Sequence, residues 1–321
     1  MPAAGLSIAV AVGEQCLVMN VDAPILLIPP SPDQASALAA AIHALAPALE
    51  LVPWQRELPA ATLGRVEVVL GWRLPPALPP QLPALRWVCA MAAGVEKLLV
   101  PGLGPQVQLS RVVDPEQALG IAQYVAMVAL ARLRELPRYQ ALQLARLWQR
   151  HPIAAARPRV GVLGWGEVGR EVGRVLQALG FAVRGWKRDS GPLHGFLADC
   201  ELVVNALPLT PDTVGLLDEA AFEAMSRGAY FVNIARGGHV VEADLIAAVT
   251  SGQLGGAALD VQQTEPLPPD DPLWTTPGVT ITPHIAAQSS LATVAGQFVD
   301  GLRALQAGRP LPHAVDRRRG Y

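Results

Sequence analysis

The sequence predicts an α/β protein of two domains, each a parallel β-sheet covered by helices. Three observations carry that reading. The 321 residues exceed one ordinary domain and suit two, each able to bury its own core. Short apolar runs alternate with stretches of helical spacing along nearly the whole chain, the grammar of βαβ units. One such run, residues 160–163, is followed at once by the glycine pattern GWGEVG and then by an amphipathic helical stretch.

The first series alternates through "PILLI" (24–28), "ASALAAAIHALA" (35–46), "VEVVLGW" (66–72) and "LRWVCAMAAGVEKLL" (85–99). The Pro-rich loop at 75–83 punctuates it without implying disorder, because strands resume at once. A long helical stretch from residue 115 to about residue 147 is expected to connect the two domains. The second series opens with a strand at 160–163. Val168, Val172, Val175, Leu176 and Leu179 then recur at helical spacing until Gly180 ends the helix. A strand at 181–186 follows, and further strands are expected at 202–206, 230–234, 257–261 and 279–282. A last helix beginning near Ser289 is expected to return and dock on the first domain. The expected division is therefore residues 1–115 with 288–321, and an inserted domain at 116–287.

Composition narrows the function. A net charge of −2, with cations scattered apart from Arg317, Arg318 and Arg319, supplies no basic field for nucleic acid. Pro, Gly or charged residues interrupt every apolar run before the roughly 20 residues of a membrane span, so a soluble protein is expected. The apolar beginning of the chain carries Glu14 and Asp22 and lacks a basic leading region, which reads against a secretory signal and for the cytoplasm. Cys16, Cys89 and Cys200 form no CxxC and sit among apolar neighbours, so buried thiols are expected. The histidines show no metal-ligand spacing, and no metal is expected.

The glycine pattern carries the first chemistry. Gly164 allows a tight turn, Gly166 lets a pyrophosphate approach the backbone, and Gly169 permits close packing of helix on strand. The helix beginning around Glu167 and Val168 attracts phosphate to its N-terminus, so the loop Gly164, Trp165, Gly166 is read as dinucleotide-binding. Where NAD recognition places an acid about 20 residues on, this chain has Trp186, Lys187, Arg188 and Asp189. Arg188 offers a planar fork to a ribose phosphate and Lys187 a point charge, which predicts a preference for NADPH. Asp189 one step later keeps NAD use open, and a solvated basic pair is the plain alternative. Further on, "NIARGGHVVEADL" places Arg236 just past a strand end, "LDVQQTEPLP" does so for Asp260 and Glu265, and "ITPHIAAQS" for His284. A cation, carboxylates and an imidazole at three successive strand ends can converge on one crevice.

Together these stretches resemble the D-2-hydroxyacid dehydrogenases, and within them the glyoxylate/hydroxypyruvate reductase A type. The similarity runs from about residue 24 to Tyr321 through "AAGVEKL", "GVLGWGEVGR", "NALPLTPDTVGLL", "NIARGGHVV", "LDVQQTEPLPPDDPLW", "TPHIAA" and "VDRRRGY". It implies a Rossmann dinucleotide-binding domain inserted into a flavodoxin-like substrate domain, with the active site in the cleft between them. It further implies that Arg236 holds the carboxylate and keto oxygen of a small 2-ketoacid, that His284 donates the proton, and that Glu265 is its partner. Ala93 and Gly94 would bind the carboxylate through backbone N–H groups. Asp260 would contact the nicotinamide carboxamide, while Leu207, Pro208 and Ala235 would lie along the cofactor. A homodimer is the family's common state.

Physical chemistry agrees with that assignment. Ketoacid reduction leaves charge on the carbonyl oxygen, so the site needs a fixed cation and a proton donor there. Glu96 departs from the Asp that many relatives carry in "AGVD", and residues 1–23 precede the family's usual start with no function legible in them. Trp72, Met91 and Trp148 are candidate pocket neighbours, for which core packing is an equal reading. His43, His151, His194, His239 and His313 read as surface or structural residues. Two other readings stay open on the same scaffold: a non-enzymatic NAD(P)-sensing protein, and a phosphoglycerate dehydrogenase-like enzyme.

Overall fold

The computed structural model describes residues 23–152 and 157–321, so Cys16 and the leading stretch 1–22 lie outside the described residues. Five short strands build a first sheet: β1 (Ile25–Ile28), β2 (Leu51–Pro53), β3 (Val68–Gly71), β4 (Trp87–Ala90) and β5 (Gln108–Ser110). All pair in parallel, in the order β2-β1-β3-β4-β5. That order is the flavodoxin-like one, with its reversal between β1 and β3. Strands β1, β3 and β4 are buried on both faces, which explains why they read as unbroken apolar runs rather than alternating ones. Helices α1 (Pro32–Leu45) and α2 (Ala60–Leu63) follow β1 and β2. Ser31 caps α1 by accepting from the Gln34 N–H, and Pro32 sits in the first turn, where no intrahelical N–H is required.

The second sheet is larger. Its strands are β6 (Arg159–Leu163), β7 (Ala182–Trp186), β8 (Leu202–Asn205), β9 (Ala229–Asn233), β10 (Leu254–Leu259) and β11 (Val279–Ile281). They too are all parallel, in the order β11-β10-β9-β8-β6-β7. The reversal falls between β6 and β8. Helix α3 (Pro115–Leu133) begins at Asp114, whose carboxylate accepts the Glu116 N–H at 2.9 Å, and it buries Ile121, Val125 and Ala129 with Val160 and Val162 of β6. The helical stretch expected to run to about residue 147 is broken. It continues instead as a separate α4 (Leu136–Leu144) after Glu135 turns to φ 54°. Pro137 is the cause: without an N–H it cannot donate to the preceding turn, and its ring collides with the carbonyl four residues back.

Helices α5 (Glu167–Ala178), α6 (Leu193–Leu197), α7 (Glu219–Ala224) and α8 (Glu242–Thr250) alternate with these strands. The last helix, α9 (Leu291–Gln306), is capped by Ser290 and returns to the first sheet as expected. There Phe298 stacks on Trp87 with ring centroids 5.2 Å apart and planes 13° from parallel. A Cβ at Gly301 would stand 2.7 Å from the Trp87 ring, so only glycine lets the helix come this close. Trp87 in turn donates its indole N–H to Ser110 of β5, so sheet edge, core ring and returning helix are one assembly. Beyond α9, the Arg317 guanidinium donates to the carbonyls of Leu103, Gly104 and Val107 and ties the end of the chain to the same unit. Among the described residues, no helix is long and apolar enough to cross a membrane. Cys89 and Cys200 are buried and unpaired, and burial pushes the Cys89 thiol up to about 12.

Candidate active site

Because the second sheet is all parallel, the segments that leave its strands emerge at one edge, where ligands of open α/β sheets bind. The glycine loop leaves β6, Lys187 and Arg188 leave β7, Leu207 and Pro208 leave β8, and Ala235 and Arg236 leave β9. Asp260 and Glu265 follow β10, and His284 follows β11. The segment Met91–Gly94 leaves β4 of the first sheet in the same sense, and it meets this edge from the other side.

The three fingerprint glycines differ in what they permit. Gly164 holds φ 92°, and a Cβ on it would strike the Ala206 carbonyl and stand 2.8 Å from the Leu207 nitrogen, which closes the reversal between β6 and β8. A Cβ on Gly169 would overlap the Gly164 carbonyl. At Gly166 a Cβ would meet nothing within 4 Å, so the backbone there faces open space at the start of α5. Free N–H groups at a helix start beside an open backbone suit a pyrophosphate. The Trp165 ring does not point into that space: it lies over Gly173 of α5 and Gly185 of β7, both of which must lack a side chain to admit it. Past β7, Lys187 and Arg188 are exposed, and Arg188 pairs with Asp212 at 3.0 Å.

Arg236 reaches across to the first sheet. Its Nε donates to Glu96 Oε1 at 2.7 Å and its Nη1 to the Ala235 carbonyl at 2.7 Å. A Cβ on Gly94 would overlap Nη2, so the guanidinium lies directly on the Ala93–Gly94 loop. Burial opposes ionisation of Glu96, but the charge and hydrogen bond of Arg236 outweigh it and hold the carboxyl below the usual carboxylate range.

His284 and Glu265 form a second pair, with Nδ1 2.9 Å from Oε2. A carboxylate only accepts, so Nδ1 carries the hydrogen and Nε2 is left for chemistry. Oε1 of Glu265 accepts the Gln262 N–H, which fixes the carboxylate from behind. The backbone of His284 sits at φ 55°, in the left-handed region that side chains disfavour. Asp260 holds it there. Its carbonyl accepts the His284 N–H at 2.8 Å, and its carboxylate accepts from the Thr282 hydroxyl at 2.6 Å and from the N–H groups of Ile285 and Ala286 at 2.9 Å each. Asp260 is only 1% exposed, so those donors also satisfy a buried charge.

Beneath Arg236 lies a network that sequence reasoning missed. Asn205 and Asn233, the last residues of β8 and β9, and His239 are all fully buried. Asn205 donates to Asn233 Oδ1 at 3.0 Å and to His239 Nδ1 at 3.1 Å, while its own oxygen accepts the Leu207 N–H. Asn233 accepts the Ala235 N–H and donates to the Arg236 carbonyl at 3.0 Å. His239 Nε2 donates to the Pro208 carbonyl at 3.2 Å. The neutral tautomer with its hydrogen on Nε2 serves the Pro208 carbonyl and leaves Nδ1 to accept from Asn205, while the Arg236 carbonyl, 3.1 Å from Nδ1, takes its hydrogen from Asn233; burial lowers the pKa of His239 accordingly. The usable signal was the repetition of Asn at the ends of neighbouring strands, in "NALP" and "NIAR". Of the candidate pocket neighbours, Met91 lies in the first core, Trp72 lies beneath Lys97, and Trp148 is 96% exposed.

A pH dependence of stability follows from His239. Its folded pKa is depressed, so its contribution is complete above the unfolded value of about 6.5 and is lost as pH falls through the folded value. Urea unfolding of the parent should show stability falling from about pH 7 to about pH 5, and His239→Gln should flatten that part of the profile while lowering the plateau. An unchanged slope in the variant would assign the acid sensitivity to other groups.

Known proteins share this architecture. The family model for the D-isomer specific 2-hydroxyacid dehydrogenase NAD binding domain matches residues 126–286. A glyoxylate/hydroxypyruvate reductase A of Yersinia enterocolitica is 36% identical over 274 residues, 79% of this chain and 88% of the relative. A D-isomer specific 2-hydroxyacid dehydrogenase of Xanthobacter autotrophicus Py2, solved with NADPH and MES, superimposes with a TM-score of 0.85 at 34% identity, covering 94% of this chain and 100% of that one. An NADPH-dependent glyoxylate/hydroxypyruvate reductase of Sinorhizobium meliloti, solved with NADP and sulfate, gives 0.84 at 32% identity, with coverage of 94% and 100%. Sequence and fold therefore agree that this chain belongs to the D-isomer specific 2-hydroxyacid dehydrogenase family.

Proposed function

We propose that the protein reduces a small 2-ketoacid of the glyoxylate or hydroxypyruvate kind to its D-2-hydroxyacid, with NADPH preferred to NADH. The observation that carries this reading is the His284–Glu265 pair on the strand edge that also bears Arg236 and the glycine loop. In this reading residues 1–115 and 288–321 form the substrate-binding domain and 116–287 the dinucleotide domain. The intact Arg236, Glu265 and His284 set speaks against a protein that only senses the cofactor.

The chain's own residues divide the work. The N–H groups of Ala93 and Gly94 and the guanidinium of Arg236 hold the ketoacid carboxylate, and Arg236 also faces the charge that develops on the keto oxygen. The imidazolium form of His284 gives its Nε2 proton to that oxygen and is left as the neutral Nδ1–H tautomer, whose hydrogen Glu265 accepts. Trp165, Gly166, Glu167 and Val168 offer backbone N–H groups to the pyrophosphate, while Gly164, whose own N–H goes to the Trp186 carbonyl, shapes the turn that presents them. Leu207, Pro208 and Ala235 line the cofactor's path, and Oδ2 of Asp260 keeps one acceptor site for a carboxamide. The bound nicotinamide supplies the hydride. Lys187 and Arg188 recognise the ribose 2′-phosphate, a reading supported by the relatives solved with NADPH or NADP. A cytoplasmic setting suits an NADPH-consuming reaction and the free thiols.

The working unit in this reading is a homodimer. Leu119, Met127 and Leu130 are exposed apolar residues of α3, and Leu144 at the end of α4 and Trp148 just after it are more exposed still. Sedimentation equilibrium should return twice the chain mass, and Leu144→Glu with Trp148→Glu should return one chain mass. A parent that sediments as a single chain would end this part of the proposal.

Two kinetic outcomes test the chemistry. His284→Ala should lower kcat for glyoxylate reduction by about 10²-fold with NADPH binding unchanged, and turnover kept within a few-fold would remove His284 from the mechanism. Arg188→Ala should raise the KM for NADPH by about ten-fold, the equivalent of ~1.4 kcal/mol, and leave that for NADH nearly as it was. The lower end of the charge-assisted range applies because Arg188 is exposed. A ratio of NADPH to NADH efficiency that does not move would reduce Lys187 and Arg188 to a solvated strand end.

A further inference from the structure

Arg236 has five N–H donors, and two of them are already spent. Its Nε is held by Glu96 and one Nη1 hydrogen by the Ala235 carbonyl, both at 2.7 Å, while Nη2 rests on Gly94. The pair is largely enclosed, with side chains 27% and 22% exposed, so solvent does little to loosen it. It also joins the two sheets, because Glu96 follows β4 and Arg236 follows β9. The effect on a carboxylate ligand is twofold. With Nε anchored, the fork cannot swing, and only the Nη edge is left to the ligand. The anion of Glu96 also cancels much of the positive field that would draw the ligand in.

We propose that Glu96 is a positioning residue that fixes the guanidinium of Arg236 for turnover while weakening its hold on the substrate carboxylate. The inference rests on Arg236 as the carboxylate-holding residue. It makes the two kinetic constants move apart, which a residue that merely supports the loop would not do. Replacing Glu96 by Gln keeps the size and one acceptor but removes the charge. The freed field then grips a carboxylate more tightly, and the fork, now held by a weaker neutral hydrogen bond, is less often in the reactive orientation.

The test is steady-state reduction of glyoxylate by the full chain, with oxamate as an inert carboxylate probe. Glu96→Gln should lower kcat about ten-fold, lower the glyoxylate KM and the oxamate inhibition constant by roughly three-fold, and leave the KM for NADPH unchanged. Glu96→Asp restores the charge on a shorter arm and should recover part of kcat and return the oxamate constant toward the parent's. Parent-like kinetics in Glu96→Gln would overturn the inference. So would a rise in the glyoxylate KM together with weaker NADPH binding, with Glu96→Asp no better, because that pattern belongs to a collapsed loop. Arg236→Lys separates the two levels of the argument. If it is impaired while Glu96→Gln is not, only the role of Glu96 falls; if it matches the parent, the assignment of Arg236 falls and takes the role of Glu96 with it.

Discussion

Six strands running in one direction impose the arrangement on which everything else depends. In a parallel sheet each strand must be left by a crossover, and each crossover begins at the same edge. Residues that lie far apart in the chain, such as Gly164 and His284, are therefore delivered to one line without any need to contact one another. The reversal between β6 and β8 then opens a gap in that line, because the connections on either side of it depart to opposite faces. Gly164 closes against Ala206 and Leu207 at the floor of this gap, and no larger residue would fit there.

Bringing segments to an edge does not fix their side chains, and two buried polar assemblies do that. The amides of Asn205 and Asn233 with the imidazole of His239 bind the segments leaving β8 and β9 to each other, including the Leu207 N–H, the Pro208 carbonyl and the Arg236 carbonyl. Asp260 does the same for the segment leaving β11, gathering Thr282, His284, Ile285 and Ala286 around one residue. Both assemblies are fully satisfied, which is the condition under which buried polar groups specify a structure instead of weakening it. The disfavoured backbone of His284 is tolerable only because Asp260 grips it on both sides.

How much of this could be read from the sequence follows from which interactions are local. The strands of the second sheet were legible because they are short, mainly apolar runs bounded by turn residues, even where Arg184 interrupts β7 and Thr280 β11, and the glycine loop because its three glycines serve a geometry repeated wherever a pyrophosphate meets a helix. Strands β2 and β5 escaped notice since three residues, "LVP" and "QLS", leave no pattern to detect. The break at Glu135 was announced by Pro137 and was overridden by the apolar periodicity around it. Arg236, Glu265 and His284 stood out by residue type and by position after strands. The partners that hold them did not, because the bond from Glu96 to Arg236 spans 140 positions and that from Asn205 to His239 spans 34. His239 in particular was read only as a surface or structural histidine; its buried place in the network depends on a neighbourhood that the chain order does not display.

The cations to which the proposed function gives two recognition tasks lie in different dielectric settings. The Arg236 guanidinium is three-quarters enclosed, faces a fixed carboxylate and rests on backbone, so its interactions are strong and insensitive to ions in solution. Lys187 and Arg188 lie at the rim with Arg188 paired to Asp212 in open solvent, where an ion pair contributes little and salt screens it. Under the proposed function, orientation of the reacting group would rest on enclosed contacts, and the choice between two cofactors that differ only at the ribose on exposed ones. A ribose phosphate that engages Arg188 would meet a guanidinium whose Nη1 already pairs with Asp212, so the attraction it feels is reduced by the anion beside it. Under the proposed function, cofactor preference is accordingly the property of this site most open to change by substitution at the rim, and substrate orientation the least.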